Sequence, residues 1–202
     1  MENYHIYEEV GRGKYSVVYK SRKKKSIEYV AVKSIERSRK KKLLHEVSIF
    51  EMIQNAYMTA KESGSLNGAI WHPNILKFYN WYETRNHCWI IIEYCSGGDL
   101  YSLIEKDVKL PENTIKKLAY ELLEGLSYLH SLGIIFGDLK PSNVLLNEYC
   151  NLKLCDFTLA KKVTDLTAQT RGDSAEERAS SHATESSKNK AGTPYYMAPE
   201  LF

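Results

Sequence analysis

Cysteine is scarce in this chain. Cys88, Cys95, Cys150 and Cys155 are the only four in 202 residues. Their spacing matches no zinc site and they are too few for a disulfide scaffold, so reduced thiols are expected. Long hydrophobic runs are missing as well. No apolar stretch reaches the roughly 18 residues that a membrane-spanning helix needs. The opening Met-Glu-Asn-Tyr-His has neither the basic nor the apolar region of a signal peptide. A cytoplasmic protein with no membrane partner is the expectation. Charge of one sign is weak: 28 basic against 25 acidic residues leaves +3, too little to imply a nucleic-acid partner. There is no internal repeat. What remains is an ordinary composition, 43% hydrophobic and 26% charged, in a chain long enough for one sizeable core or two small lobes.

The first third alternates as strands do. Tyr4–Val10, Ser16–Lys20 and Glu28–Lys33 are short β-type runs separated by Gly- or Lys-rich turns. Leu43, Leu44, Val47, Phe50 and Ile53 then form a helical stripe. Strand-like runs return at Ile75–Tyr79 and Trp89–Tyr94, and Gly97-Gly98 breaks the pattern. A strong helix is expected from about Pro111, with Ile115, Leu118, Ala119, Leu122, Leu123, Leu126 and Leu129 at spacings of three and four, ended by Gly133. Two stretches fit less well. Residues 55–70 either lengthen the first helix or form a loop. Residues 164–190 are polar and have little to bury, so mobility is expected there. Two dense basic runs, Arg22–Lys25 and Arg37–Lys42, read either as a solvated turn and helix start or as a patch for an acidic partner.

Chemistry concentrates between Ile134 and Phe157. Ile-Ile-Phe-Gly-Asp-Leu-Lys-Pro-Ser-Asn-Val-Leu-Leu sets Asp138, Lys140 and Asn143 at fixed offsets in an apolar frame, and Leu154-Cys-Asp-Phe157 follows. A phosphoryl-transfer site needs this set. Asp138 can accept a hydroxyl proton, Lys140 can neutralise the phosphate in flight, and Asn143 with Asp156 can hold Mg²⁺. The stretch resembles the catalytic loop and metal motif of eukaryotic protein kinases, with Lys140 where Ser/Thr-specific members carry lysine. The resemblance implies an α+β, two-lobed fold, with a small β-rich N-lobe over residues 1–95 and a helical C-lobe from residue 96. A long activation segment over 156–200 is implied, closed by Gly192-Thr-Pro-Tyr-Tyr-Met-Ala-Pro-Glu200. There Thr193 would hydrogen-bond near Asp138 and Lys140. A complete kinase would continue beyond Phe202 with further helices, so an incomplete C-lobe is expected.

The same resemblance assigns a nucleotide site for ATP. Val10-Gly-Arg-Gly-Lys-Tyr-Ser-Val-Val18 is similar to the glycine-rich loop, with Gly11 and Gly13 kept and Ser16 in place of the third glycine. Lys33 in Val-Ala-Val-Lys would contact the α and β phosphates and pair with a helix carboxylate, for which Glu46 is the leading candidate and Glu36 and Glu51 the alternatives. A buried lysine without a partner would lose its charge. Val18 and Ala31 would cover one face of adenine and Leu145 the other. Glu93 and Cys95 would offer backbone hydrogen bonds behind Ile92, and Asp99 would reach the ribose.

Besides Ser16, three residues depart from the family pattern. Phe136-Gly137 stands where His-Arg is usual, removing the cation that a phosphorylated activation loop neutralises, so weak dependence on that phosphorylation is expected. Phe136 also joins Phe50, Phe78 and Phe157 as four aromatic positions on the column that links the lobes in active kinases. Thr158 replaces a glycine, and a β-branched residue resists the backbone flip that glycine allows. At a finer level, Trp81–Thr84, Glu93–Leu100 and Gly137–Asn143 look like the RUNKEL/Fused-like branch of Ser/Thr kinases. That likeness implies a protein substrate with Ser or Thr, and microtubules or their associated proteins as partners, with the cytoskeleton as a location. The leading function is an ATP- and Mg²⁺-dependent Ser/Thr kinase. The rival is a nucleotide-binding pseudokinase scaffold. A small-molecule kinase is disfavoured by the Gly192–Glu200 motif.

Overall fold

The structure is a computed structural model that describes residues 1–62, 71–107, 109–165 and 192–201. Its first part is a five-stranded antiparallel sheet of order β1-β2-β3-β5-β4, built from β1 (Tyr4–Arg12), β2 (Ser16–Lys23), β3 (Tyr29–Glu36), β4 (Phe78–Glu83) and β5 (His87–Glu93). The six residues Val30 to Ile35 are all buried, because β3 is central and covered on both faces. Val30 and Val32 pack with Ile91 on one side, and Ala31 and Ile35 join the main core on the other.

Helix α1 (Lys40–Glu62) crosses that inner face. Its buried residues, Leu43, Glu46, Val47, Ile49, Phe50 and Ile53, recur at helical spacing and form one stripe. Glu46 is the single charge in the stripe, and a carboxylate placed there needs a partner. The helix runs on to Glu62, so the first half of the 55–70 stretch lengthens α1 instead of looping out. Residues 63–70 lie outside the described residues, as does most of the stretch expected to be mobile.

The strand expected at Ile75–Tyr79 is displaced. β4 begins only at Phe78, while Ile75 forms a parallel bridge with Leu154. Leu76 N–H donates to Leu154 O (3.0 Å), and Leu154 N–H to Asn74 O (2.8 Å). A run that looks like one strand is thus split between the sheet and the second part, and it stitches the two together.

That second part holds α2 (Leu100–Asp107), α3 (Glu112–Ser131), β6 (Ile134–Ile135), β7 (Val144–Leu146), β8 (Leu152–Leu154) and β9 (Lys161–Lys162). β7 pairs with β8, and β6 with β9, both antiparallel. Pro111 sits just outside α3 as its N-cap residue, and Leu132 closes the helix. The apolar stripe of α3 is only partly used. Leu118 and Leu129 are buried and Leu122 and Leu126 pack on the core, yet Ile115 is 51% and Leu123 65% exposed. They lie off the side of α3 that packs on β6 and β8, where nothing among the described residues covers them. Gly97 joins the two parts: its N–H donates to Leu146 O (2.9 Å), and an added Cβ would sit 2.8 Å from that oxygen. Only glycine fits so close an approach.

Candidate active site

Two polar clusters face the junction of the two parts. The first is centred on Lys33, which β3 places among buried neighbours. Its Nζ donates to Glu46 Oε1 (2.9 Å), Glu46 Oε2 (2.8 Å) and Asp156 Oδ1 (3.2 Å), accounting for all three ammonium protons. Burial works to strip the proton from Lys33, but the charges of Glu46 and Asp156 outweigh it and hold its pKa above the usual lysine value. Burial raises Glu46 more than the Lys33 charge lowers it, leaving it above the usual carboxylate value. Burial also acts upward on Asp156, but there the Lys33 charge and a hydrogen bond from Thr158 prevail and the pKa is lowered. The alternatives Glu36 and Glu51 are both exposed, and Glu36 accepts a hydrogen bond from Ser38.

The second cluster surrounds Asp138, which is buried. Thr193 Oγ1 donates to Asp138 Oδ1 (2.9 Å), and Lys140 Nζ donates to Thr193 Oγ1 (2.8 Å). Lys140 Nζ also lies 2.7 Å from Asp138 Oδ2, which closes a triangle of carboxylate, ammonium and hydroxyl. Asn143 Nδ2 bonds Asp138 O (2.8 Å) and Oδ2 (3.0 Å), fixing the carboxylate from below. Cys155 N–H donates to Asn143 O (3.1 Å), so Asn143 and Asp156 are adjacent through the backbone. Beside Asp138 lies a cavity of about 90 Å³ lined by Gly137, Leu139, Gly192, Thr193, Tyr196 and Met197 among others.

Asn143 and Asp156 fit a Mg²⁺ ion. The Asn143 amide donates through nitrogen, leaving its Oδ1 as an acceptor, and the two side-chain donors to Asp156, Lys33 and Thr158, both bond Oδ1 rather than Oδ2. Two such oxygens suit Mg²⁺, which is commonly held by few protein ligands plus phosphate and water. No group of three or more His, Cys, Asp or Glu able to hold a metal occurs among the described residues.

Of the nucleotide positions, Gly11 pairs with Val18 across the β1–β2 hairpin, and Gly13 N–H donates to Ser16 O (2.9 Å) to close the loop. Val10 is exposed, whereas Val18, Cys95 and Leu145 pack on the core and Ala31 is buried within it. Two residues carry bonds that the sequence did not announce. Both carboxylate oxygens of Asp99 accept from Ser102, from its N–H (2.8 Å) and its Oγ–H (2.9 Å), so the group expected at a ribose caps the start of α2. Glu93, named for its backbone, has its side chain ion-paired to buried Lys153 (3.0 Å) and accepting from Lys77 N–H (3.1 Å).

Packing joins the clusters. Phe78, Phe50, Phe157 and Phe136 touch in sequence, with ring centroids 5.1, 5.0 and 5.4 Å apart. His45 Nε2 lies 2.7 Å from Ala160 O, and since a carbonyl only accepts, that nitrogen carries the proton. Gly137 is forced: its φ is +81°, and a Cβ there would lie 2.4 Å from Leu159 O. Neither His45 nor this close approach was legible in the motif pattern.

The thiols give a simple check on burial. Burial, with the Glu93 charge behind it, pushes Cys95 up to about 12, and burial raises Cys155 well above the usual thiol value. Cys150 is exposed and Cys88 buried. Iodoacetamide at pH 8 is therefore expected to label Cys150 first, with Cys88, Cys95 and Cys155 labelled only after denaturation, as read by peptide mass spectrometry.

A β-rich part and a helical part, joined over a Lys–Glu–Asp cluster and an Asp–Lys–Asn loop, define a two-lobed kinase fold. The chain belongs to the protein kinase domain family, whose model matches residues 4–202. Among relatives, it is 50% identical over its whole length to serine/threonine-protein kinase RUNKEL of Arabidopsis thaliana, covering 12% of that protein. It is 34% identical to mouse serine/threonine-protein kinase ULK4, covering 15% of it, and 35% identical to mouse serine/threonine-protein kinase 36, covering 13%. The chain thus spans a small fraction of the length of these relatives.

Proposed function

We propose that this chain is the nucleotide-binding and catalytic part of an ATP-dependent Ser/Thr protein kinase that works without a phosphorylated activation segment. The triangle of Asp138, Lys140 and Thr193, closed at 2.7 to 2.9 Å, carries the reading. Asp138 is the base toward a substrate hydroxyl, and the small cavity beside it receives that side chain. Lys140 stabilises charge on the transferred group, while Lys33, fixed by Glu46, orients the α and β phosphates. Asn143 and Asp156 would hold Mg²⁺, which when bound neutralises phosphate oxygens. Independence from phosphorylation is supported by Gly137, where backbone fills the place of a charge, and by the phenylalanine column. The names of the relatives support a protein hydroxyl as acceptor.

A second reading, a nucleotide-binding scaffold on cytoplasmic microtubules, draws on Lys23, Lys24 and Lys25, all exposed at the end of β2 and on the turn after it. The other basic run offers less, since Arg37 and Lys40 both pair with Glu83. The two readings separate in one assay on the full-length protein. Phosphate transfer to a generic Ser/Thr substrate is expected, falling at least about 100-fold in Asp138→Asn. Mg²⁺-dependent nucleotide binding without transfer would favour the scaffold.

A further inference from the structure

Thr158 stands where the family pattern has glycine, and its hydroxyl enters the first polar cluster. Oγ1 lies 2.5 Å from Asp156 Oδ1 and 3.5 Å from Glu46 Oε2. A hydroxyl has one proton to give, and the shorter contact takes it. Lys33 Nζ donates to the same Oδ1 at 3.2 Å. One oxygen of Asp156 is therefore held by two side-chain donors, and neither of them bonds the other oxygen. The terminal torsion of an aspartate is otherwise broad, so two donors on one oxygen decide which oxygen points outward. The backbone beneath is fixed too: Asp156 sits at φ 63°, ψ 75°, a left-handed conformation that a non-glycine residue adopts only when its surroundings impose it. A glycine at residue 158 would leave the orientation to Lys33 and the backbone alone.

We propose that Thr158 is a positioning residue whose hydroxyl locks the Asp156 carboxylate and so presents Oδ2 to the Mg²⁺ of a bound nucleotide. The proposal rests on the reading of Asp156 as a metal-holding residue. It distinguishes the hydroxyl from the β-branch. Thr158→Val keeps the branched shape and loses the proton donor, whereas Thr158→Ser does the reverse.

The test is a Mg²⁺ titration of binding to a fluorescent ATP analogue, using full-length wild type, Thr158→Val, Thr158→Ser and Thr158→Ala, with thermal melts in EDTA as the folding control. In Thr158→Val and Thr158→Ala the Mg²⁺ concentration at half-maximal binding is expected to rise about 10-fold, as for loss of an outer-shell partner of a metal ligand. Thr158→Ser should stay within about 2-fold of wild type, and binding in EDTA should not change in any variant. Wild-type midpoints in both Thr158→Val and Thr158→Ala would overturn the proposal, and so would a Thr158→Ser protein as weak as Thr158→Val. Should one variant melt below the assay temperature, the remaining pair decides. If the wild type itself binds nucleotide with no Mg²⁺ dependence, the functional reading falls and takes this proposal with it.

Discussion

Replacing Gly137 by arginine, the residue usual in the family, is expected to destabilise the domain by about 3 kcal/mol or more and to abolish transfer. The reason is steric. A left-handed φ costs a non-glycine residue about 1–2 kcal/mol. The Cβ would also lie 2.4 Å from Leu159 O, so the backbone after Asp156-Phe157 must shift, and comparable overpacking costs about 1–3 kcal/mol. For a domain of this size the melting temperature should fall by roughly 6 °C or more. Gly137→Ala separates this mechanism from a charge effect, because alanine brings the same Cβ and no cation. Differential scanning calorimetry should show Ala losing most of what Arg loses. An alanine variant that melts with the wild type would show that the close approach is relaxed at no cost.

Lys33→Met should produce the second large effect. It removes the only cation, among the described residues, from a cluster holding two carboxylates, and breaking a buried pair from one side costs about 3–5 kcal/mol. Glu46→Ala should cost less, since Lys33 keeps Asp156 at 3.2 Å. The paired replacement Lys33→Met/Glu46→Leu should regain much of the stability and none of the transfer. Acid distinguishes these variants further. The Glu46 pKa is already raised by burial, and without Lys33 it rises more. A raised carboxylate contributes stability below its unfolded value near 4.3 and loses it as pH rises through the folded value. Lys33→Met should therefore recover stability as pH falls toward that range. In the wild type Asp156 acts oppositely, because its lowered pKa confers stability that fades as pH drops through the lowered value. Urea melts across pH would show the recovery; flat behaviour in Lys33→Met would mean that Glu46 reaches water or another donor.

Periodicity made the sheet and α1 legible, since alternation and a stripe are direct consequences of one buried face. It misplaced β4, because Ile75 and Leu76 are apolar for a different reason: they pair with β8 rather than with β5. It missed α2, a helix of eight residues whose N-terminal cap is Asp99, the residue expected at a ribose. It overestimated the buried face of α3, because apolar spacing cannot tell which side a neighbour covers. Within the site, Lys33, Asp138, Asn143 and Asp156 were legible as a motif because their chemistry demands fixed types at fixed offsets. The supporting contacts were not. His45 to Ala160 O, Lys153 to Glu93, and the approach of Leu159 O to Gly137 depend on tertiary placement across many residues. Thr158 lay between these cases, visible as a departure but readable as a hydrogen-bond donor only once Asp156 Oδ1 was located.

The most direct measurement is the rate of phosphate transfer by the full-length protein after exhaustive phosphatase treatment and removal of the phosphatase. A site held by backbone approach at Gly137 and by the Phe78-Phe50-Phe157-Phe136 column predicts a rate within about 2-fold of the untreated protein, and its loss in Asp138→Asn. No transfer by the wild type, or transfer that disappears with the phosphates, would contradict it.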